Sequence, residues 1–250
     1  MMNAINYSSA RYPVRTNFAE THNRFWDRLA SPGSWLSGAQ KVAIAKEVRQ
    51  SHDCTLCKQR KQALSPYQVV GKHESASSEL NDTIIEIVHR IVTDSARLTK
   101  NWHDDIMAQG IKSAEYVEIL GTIVHTFAID EFCRGLGIPL NELPEPKAGE
   151  PTGYVPENAS NDAGAWVPVL PNFIEEGPEA DIWNGFGANV IRAMSLAPDE
   201  VRSLIDMFDS HYVTNDKIVG DWTGSPHGGL SRLEMEIVAT RVSSHNDCFY

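Results

Sequence analysis

A chain of 250 residues with 42% hydrophobic and 22% charged residues is long enough to bury one large core or two smaller ones. Its formal net charge of -11 argues against a nucleic acid or an anionic membrane as partner, because both require a basic surface. The sequence shows no basic-apolar signal segment and no apolar run of membrane-spanning length. We therefore expect a cytoplasmic protein with no membrane partner.

The helical pattern begins after a polar stretch, residues 1–15, which predicts a loose tail. Residues 16–137 are helical almost throughout, and Ile119, Ile123 and Phe127 form one apolar stripe at helical spacing. Residues 138–180 are rich in proline, glycine and asparagine and predict a long irregular connection. Helical patterning returns at 182–194, after Pro198 and from Ser231 to the end. The sequence thus predicts an all-α fold with two related helical units, 16–137 and 181–250, joined by the Pro-rich connection.

An internal repeat supports the two-unit prediction. The stretch LSGAQKVAIAKEVRQSHDC, residues 36–54, aligns without gaps to LSRLEMEIVATRVSSHNDC, residues 230–248, with six identical residues in nineteen. Both copies begin with a capping-box pattern, Ser37 with Gln40 and Ser231 with Glu234, and both end in Asp-Cys. We interpret the two stretches as copies of one helix that leads into a cysteine.

The cysteines carry the predicted chemistry. Four are present, Cys54, Cys57, Cys133 and Cys248, too few for a disulfide scaffold of this length. Cys54 and Cys57 are spaced as a Cys-x-x-Cys pair. At the start of a helix a thiolate is stabilised, and a second sulfur three residues later lies on the same face. We predict that this pair is redox-active and that Cys248 is half of a second site.

Two carboxylates are candidate proton relays, and several other residues have simpler interpretations. Glu47 precedes Cys54 by seven positions, and Glu236 precedes Cys248 by twelve. A solvated helix charge is the alternative for each of them. Cys133, His89 and His125 are interpreted as interior residues.

The pattern from Glu236 to Cys248 resembles the AhpD-like alkylhydroperoxidases of the carboxymuconolactone decarboxylase superfamily. Their signature is Glu, eleven residues, Cys, two residues, Cys, three residues and His. In the first copy Val42 stands at the Glu position and Lys61 at the His position, so Glu47 would have to replace the family's relay. The resemblance implies a helical, often oligomeric enzyme that reduces a small hydroperoxide and is recharged by a thiol or protein reductant.

The resemblance also implies what lies beyond Cys248. Some relatives are similar to selenoproteins, with selenocysteine at the second position of the pair. The expectation is therefore a reading frame that continues past Tyr250 through a UGA or cysteine codon. We expect no bound cofactor and no metal.

Three alternatives remain open at this stage. Cys54 and Cys57 could hold zinc, although the sequence shows no second ligand pair and His52 or His73 would have to contribute. The chain could belong to the superfamily's non-redox decarboxylase branch, or it could be an inactive helical scaffold.

Overall fold

The computed structural model describes residues 4–161, 164–183, 187–214, 217, 220, 222–246 and 248. Within these residues every regular element is a helix, which confirms the predicted all-α class. The α-helices are α1 (Thr16–Ala30), α2 (Gly38–Gln50), α3 (Thr55–Gln62), α4 (Asp82–Asp94), α5 (Lys100–Ala108), α6 (Ser113–Leu136), α7 (Asn189–Arg192), α8 (Pro198–His211) and α9 (Arg232–His245), with 3-10 turns at Pro66–Gln68 and Ser95–Arg97. No described helix is long and apolar enough to cross a membrane.

The 24-residue helix α6 is the centre of the core, and it packs against α2, α4 and α8. The apolar stripe predicted on α6 faces the core: Ile119 and Ile123 are buried in the main hydrophobic cluster, and the partly buried Phe127 packs against that cluster. The helix ends at Gly137, whose φ of 67° is the left-handed conformation that favours glycine. Helix α1 closes the other side by packing on α2 and α8.

Three helices position the cysteine pair. At the start of α2 the Ser37 hydroxyl oxygen accepts the Gln40 N–H, and the Gln40 side-chain oxygen accepts the Ser37 N–H. Helix α4 starts where the Asn81 side chain accepts from the Ile84 N–H. Both helices pack side by side, and the short helix α3 packs on α4.

The second copy of the repeat also forms a capped helix, but in a different environment. Ser231 and Glu234 make the same capping box at the start of α9. Most of α2 is buried, whereas α9 leaves several large apolar side chains exposed. These are Leu233, Ile237, Val238 and Val242.

Two local predictions need correction. Residues 4–15 are not a loose tail, because Ile5 and Tyr7 are buried against α1 and α6 residues. The helix expected over 182–194 is reduced to the single turn α7, and residues 184–186 of that prediction lie outside the described part. The stretch between α6 and α7 is irregular where described. It is held by backbone bonds such as Lys147 N–H to the Ala30 carbonyl at 2.8 Å.

Candidate functional site

The Cys-x-x-Cys pair lies at the start of α3, as predicted. Cys54 is the residue that precedes the first turn, and Cys57 lies within that turn. Both cysteines are buried, with Cys57 only 4% exposed, and their sulfurs do not form a disulfide. The sulfurs therefore face the protein interior, where other side chains meet them.

Two histidines complete a compact cluster with these sulfurs. His73 comes from the loop after α3, and its Nδ1 lies 3.4 Å from Cys54 Sγ and 3.6 Å from Cys57 Sγ. His89 comes from α4, and its Nδ1 lies 3.2 Å from Cys57 Sγ. One ligand atom from each of the four residues falls within 4.8 Å of all the others. We call this group the Cys2His2 cluster.

Each histidine of the Cys2His2 cluster is oriented by a carboxylate on its far side. His73 Nε2 lies 2.7 Å from Glu86, and His89 Nε2 lies 3.0 Å from Glu47. In the neutral form of each ring, a carboxylate partner places the single proton on Nε2 and leaves the Nδ1 lone pair directed at the sulfurs. In many metal centres a histidine binds the metal through one ring nitrogen and donates the N–H of the other to a carboxylate.

The two carboxylates are themselves fixed by further donors. Glu47 is fully buried, and its second oxygen accepts the Ser75 hydroxyl at 2.6 Å and the Ala76 N–H at 2.7 Å. Glu86 also accepts from the Arg60 guanidinium at 2.8 Å. Neither carboxylate is a solvated helix charge, and Glu47 reaches the cysteines only through His89.

The spacing inside the Cys2His2 cluster fits a tetrahedral metal ion. With zinc–sulfur bonds of about 2.3 Å and zinc–nitrogen bonds of about 2.05 Å, sulfur and nitrogen at two corners of a tetrahedron stand about 3.5 Å apart. The three short sulfur–nitrogen distances here run from 3.2 to 3.6 Å. The cluster thus has the ligand types and the size of a Cys2His2 site.

Without a metal, the same contacts perturb the acidity of the cluster. Burial alone would raise the pKa of the Cys57 thiol, but hydrogen bonds with His73 and His89 outweigh it and lower the pKa to about 6. Burial would lower the pKa of both imidazoles. Bonds to Cys57 and to a carboxylate instead raise the pKa to about 10 for His73 and about 9 for His89. The metal-free cluster therefore favours a thiolate beside imidazolium groups.

The second predicted site is not assembled in the same way. Glu236 lies in the first half of α9, where Arg232 and the Tyr212 hydroxyl hold its carboxylate. Cys248 is exposed and follows the end of α9. From Glu236 to the last residue of α9 is nine residues, or about 14 Å of helix rise.

Two residues of the cluster and one of its outer partners were missed or discounted in the sequence. His89 was interpreted as an interior histidine, His73 was named only as a ligand that a zinc site would require, and Glu86 was not singled out. His52 is exposed and outside the cluster, stacked on Phe127. Their spacing gives no signal of a metal site, because fifteen residues separate His73 from His89, whereas the second ligand pair of a zinc motif is only about three to five residues apart.

The comparisons with known proteins add no family to these observations. No protein-family profile, no curated sequence and no solved structure matches this chain at a significant level. The class that the structure defines is an all-helical protein with a buried Cys2His2 cluster.

Proposed function

We propose that this chain is a zinc-binding helical protein whose metal is held by Cys54, Cys57, His73 and His89. The observation that carries the proposal is the convergence of the four ligand atoms within 4.8 Å. Two sulfurs and two nitrogens suit zinc better than magnesium or calcium, which require oxygen ligands. The proposal replaces the expectation that the cysteine pair works without a metal.

The burial of the ligands favours a structural metal over a catalytic one. Four protein ligands fill a tetrahedral shell, whereas catalytic zinc sites keep one position open for water or substrate. The His89 side chain is fully buried and the His73 side chain is 7% exposed, so solvent has little access to the centre. We infer that the ion fastens α3 and the loop carrying His73 to α4, while Glu47 of α2 holds His89 from behind.

The surrounding residues prepare the ligands for this role. Glu47 and Glu86 hold the Nε2 protons, so that both Nδ1 atoms can donate lone pairs to the metal. Binding requires two thiolates and two free Nδ1 lone pairs, so zinc uptake should release the protons that the cysteines and imidazolium groups of the metal-free cluster carry. The divalent ion would balance the two thiolates, while Arg60 offsets the charge of Glu86.

Metal analysis of the purified chain tests the proposal. We expect one zinc per chain, and less than about a tenth of that in Cys54→Ser and His89→Asn variants. Cys133→Ser and Cys248→Ser are matched controls, because these cysteines lie outside the cluster. Cobalt exchanged into the site should show the visible bands of a tetrahedral ion with thiolate charge transfer. A full zinc content in the Cys54→Ser variant would overturn the proposal.

A second candidate function is thiol-dependent reduction of hydroperoxides by the metal-free protein. The specific observation in its favour is that Cys57 Sγ is within 3.6 Å of two imidazole nitrogens and three residues from a second free cysteine. The Cys57 thiolate would attack the peroxide oxygen, break the O–O bond and become sulfenic acid, with His73 protonating the departing alkoxide. Cys54 would then displace water from that sulfur to form a disulfide, which a dithiol reductant returns to two thiols.

Burial counts against this second function, because the peroxide must reach the sulfur of a residue, Cys57, that is only 4% exposed. The two functions separate in one experiment on protein prepared with and without zinc. The redox proposal expects peroxide consumption by the zinc-free protein and its loss in the Cys57→Ser variant. If only the zinc-loaded form is folded and neither form consumes peroxide, the structural metal is the better explanation.

A further inference from the structure

Helix α9 presents one side to the body of the protein and the other side to solvent. On the inner side, Arg232 is buried and donates at 2.6 Å to the Glu236 carboxylate, which also accepts the Tyr212 hydroxyl. The outer side carries four large apolar residues, each more than half exposed. These are Leu233 at 58%, Ile237 at 64%, Val238 at 56% and Val242 at 54%. Apolar residues grouped on one exposed side of a helix are typical of an interaction surface.

The internal repeat shows that the outer side of α9 corresponds to a packed side of α2. In the gap-free alignment, Ile44 and Val48 of α2 correspond to Val238 and Val242 of α9. Both α2 residues are completely buried in the main hydrophobic cluster, where α2 packs against α4 and α6. The corresponding residues of α9 are exposed. The sequence of α9 therefore retains a helix-packing side that no described part of the chain covers.

Two opposite charges lie along the middle of this outer side. Glu234 and Arg241 are both exposed, and they are seven residues apart, which is nearly two helix turns, so they point in the same direction. Glu234 caps α9 through one oxygen, which accepts the Ser231 N–H at 2.8 Å, and its carboxylate keeps a second oxygen for another donor. Arg241 forms no ion pair among the described residues. Apolar residues flank the two charges, with Leu233 and Ile237 on one flank and Val238 and Val242 on the other.

The order of these residues is self-complementary in an antiparallel pair of helices. A twofold axis level with the midpoint between Ile237 and Val238 brings Glu234 of each copy to the level of Arg241 of the other, because both residues are equally far from that midpoint. The same axis joins the flanks of the two helices into two continuous apolar rows. Two identical ion pairs would therefore lie between two apolar rows.

We propose that the outer side of α9 is the contact surface of a homodimer, in which α9 packs antiparallel on the α9 of a second copy. The charge order favours a second copy over a different protein, because one twofold contact pairs both charges of each chain. Each copy carries a net charge of -11, so contacts without such complementary pairs are opposed by repulsion.

The size of the surface sets the expected strength of the dimer. The four apolar side chains expose roughly 400 Å² per copy, and a pair that also covers the two charges would bury on the order of 1,000 Å² in total, near the lower limit of specific interfaces. We therefore expect a reversible dimer with a dissociation constant in the micromolar range, and not an obligate one.

Sedimentation equilibrium of the purified full chain tests for the dimer. Between about 1 and about 500 µM the average mass should rise from that of one chain towards that of two, as mass action requires. A chain that stays monomeric over this range would overturn the proposal. Self-association that continues past two chains would also contradict it, because a twofold contact is closed.

Two matched variants locate the surface. Val238→Asp places a charge without a partner in an apolar row and should raise the dissociation constant at least about tenfold. Val190→Asp makes the same change at a position of similar exposure on α7, 51% against 56%, and should dimerise like the original chain. Equal dimerisation of the two variants would place the contact elsewhere and overturn the assignment.

Reversal of the charges tests the antiparallel arrangement. Glu234→Arg and Arg241→Glu each bring like charges together at both ion pairs, so each variant alone should dimerise at least about tenfold more weakly. An equal mixture of the two variants should form a heterodimer, because one chain then presents two arginines and the other two glutamates. Recovery on mixing shows that the single variants are folded. Single variants that dimerise as well as the original chain, or a mixture that does not recover, would overturn the proposed arrangement.

Discussion

The replacement of Glu47 by Gln tests whether the carboxylates behind the histidines belong to a metal centre. Glu47 offers only acceptors, and three donors use them: the Nε2 proton of His89, the Ser75 hydroxyl and the Ala76 N–H. Glutamine has nearly the same shape but presents one oxygen and one NH2 group. The variant therefore changes the bonding while leaving the packing almost intact.

Either orientation of the new amide leaves a buried donor facing a donor. If the amide oxygen stays with Ser75 and Ala76, the NH2 group meets the Nε2 proton of His89. The ring can then escape only by moving its proton to Nδ1, which removes the lone pair that faces the sulfurs. If the amide is turned over, the NH2 group meets the Ala76 N–H instead. An unsatisfied buried polar group costs about 1–3 kcal/mol.

We therefore expect Glu47→Gln to weaken zinc binding by about 10- to 100-fold, the usual effect of removing such an outer partner. In free energy this is about 1.4–2.7 kcal/mol. Competition with a chelator of known affinity measures the change. Glu79→Gln is the matched control, because Glu79 is exposed on the loop that precedes α4. Affinity within about twofold of the original chain would refute the reasoning, even if the variant unfolds more easily.

Three further predictions concern α6. Asp130 is fully buried and paired with the Arg49 guanidinium at 2.8 Å. Asp130→Ala should therefore lower the free energy of unfolding, measured by urea titration, by about 3–5 kcal/mol. A loss below about 1 kcal/mol would contradict this prediction. The pKa of Glu118 is raised to about 7. The protonated Glu118 therefore stabilises the fold fully at low pH, and this stabilisation is lost as the pH rises through about 7. Between about pH 5.5 and about pH 8 the free energy of unfolding should fall by about 2 kcal/mol, and the same fall in the Glu118→Gln variant would show that Glu118 is not its origin. Gly137→Ala places a side chain on a residue with positive φ and should lower the free energy of unfolding by about 1 kcal/mol in urea titrations. An unchanged free energy of unfolding would contradict the assignment of Gly137 as the C-cap of α6.

Much of the fold could be predicted because its signals are local. The stripe of Ile119, Ile123 and Phe127 and the capping boxes at Ser37 and Ser231 depend on residues three or four positions apart. The order of the N-terminal residues, which the sequence did not predict, has a non-local cause. Ile5 and Tyr7, for example, are ordered by packing against helices that include the distant α6.

The candidate site shows the same division at a finer scale. Spacing alone placed Cys54 and Cys57 together on one helix turn, because three residues nearly complete that turn. No such rule links them to His73 on a loop or to His89 on another helix. Those residues meet the sulfurs only because α3 packs on α4 and the loop folds back between them. A cysteine pair on a helix can therefore indicate thiol chemistry, whereas the choice between redox chemistry and metal binding depends on which side chains the tertiary packing brings to the sulfurs. Here it brings two imidazoles, each oriented by a carboxylate, and that arrangement favours a metal.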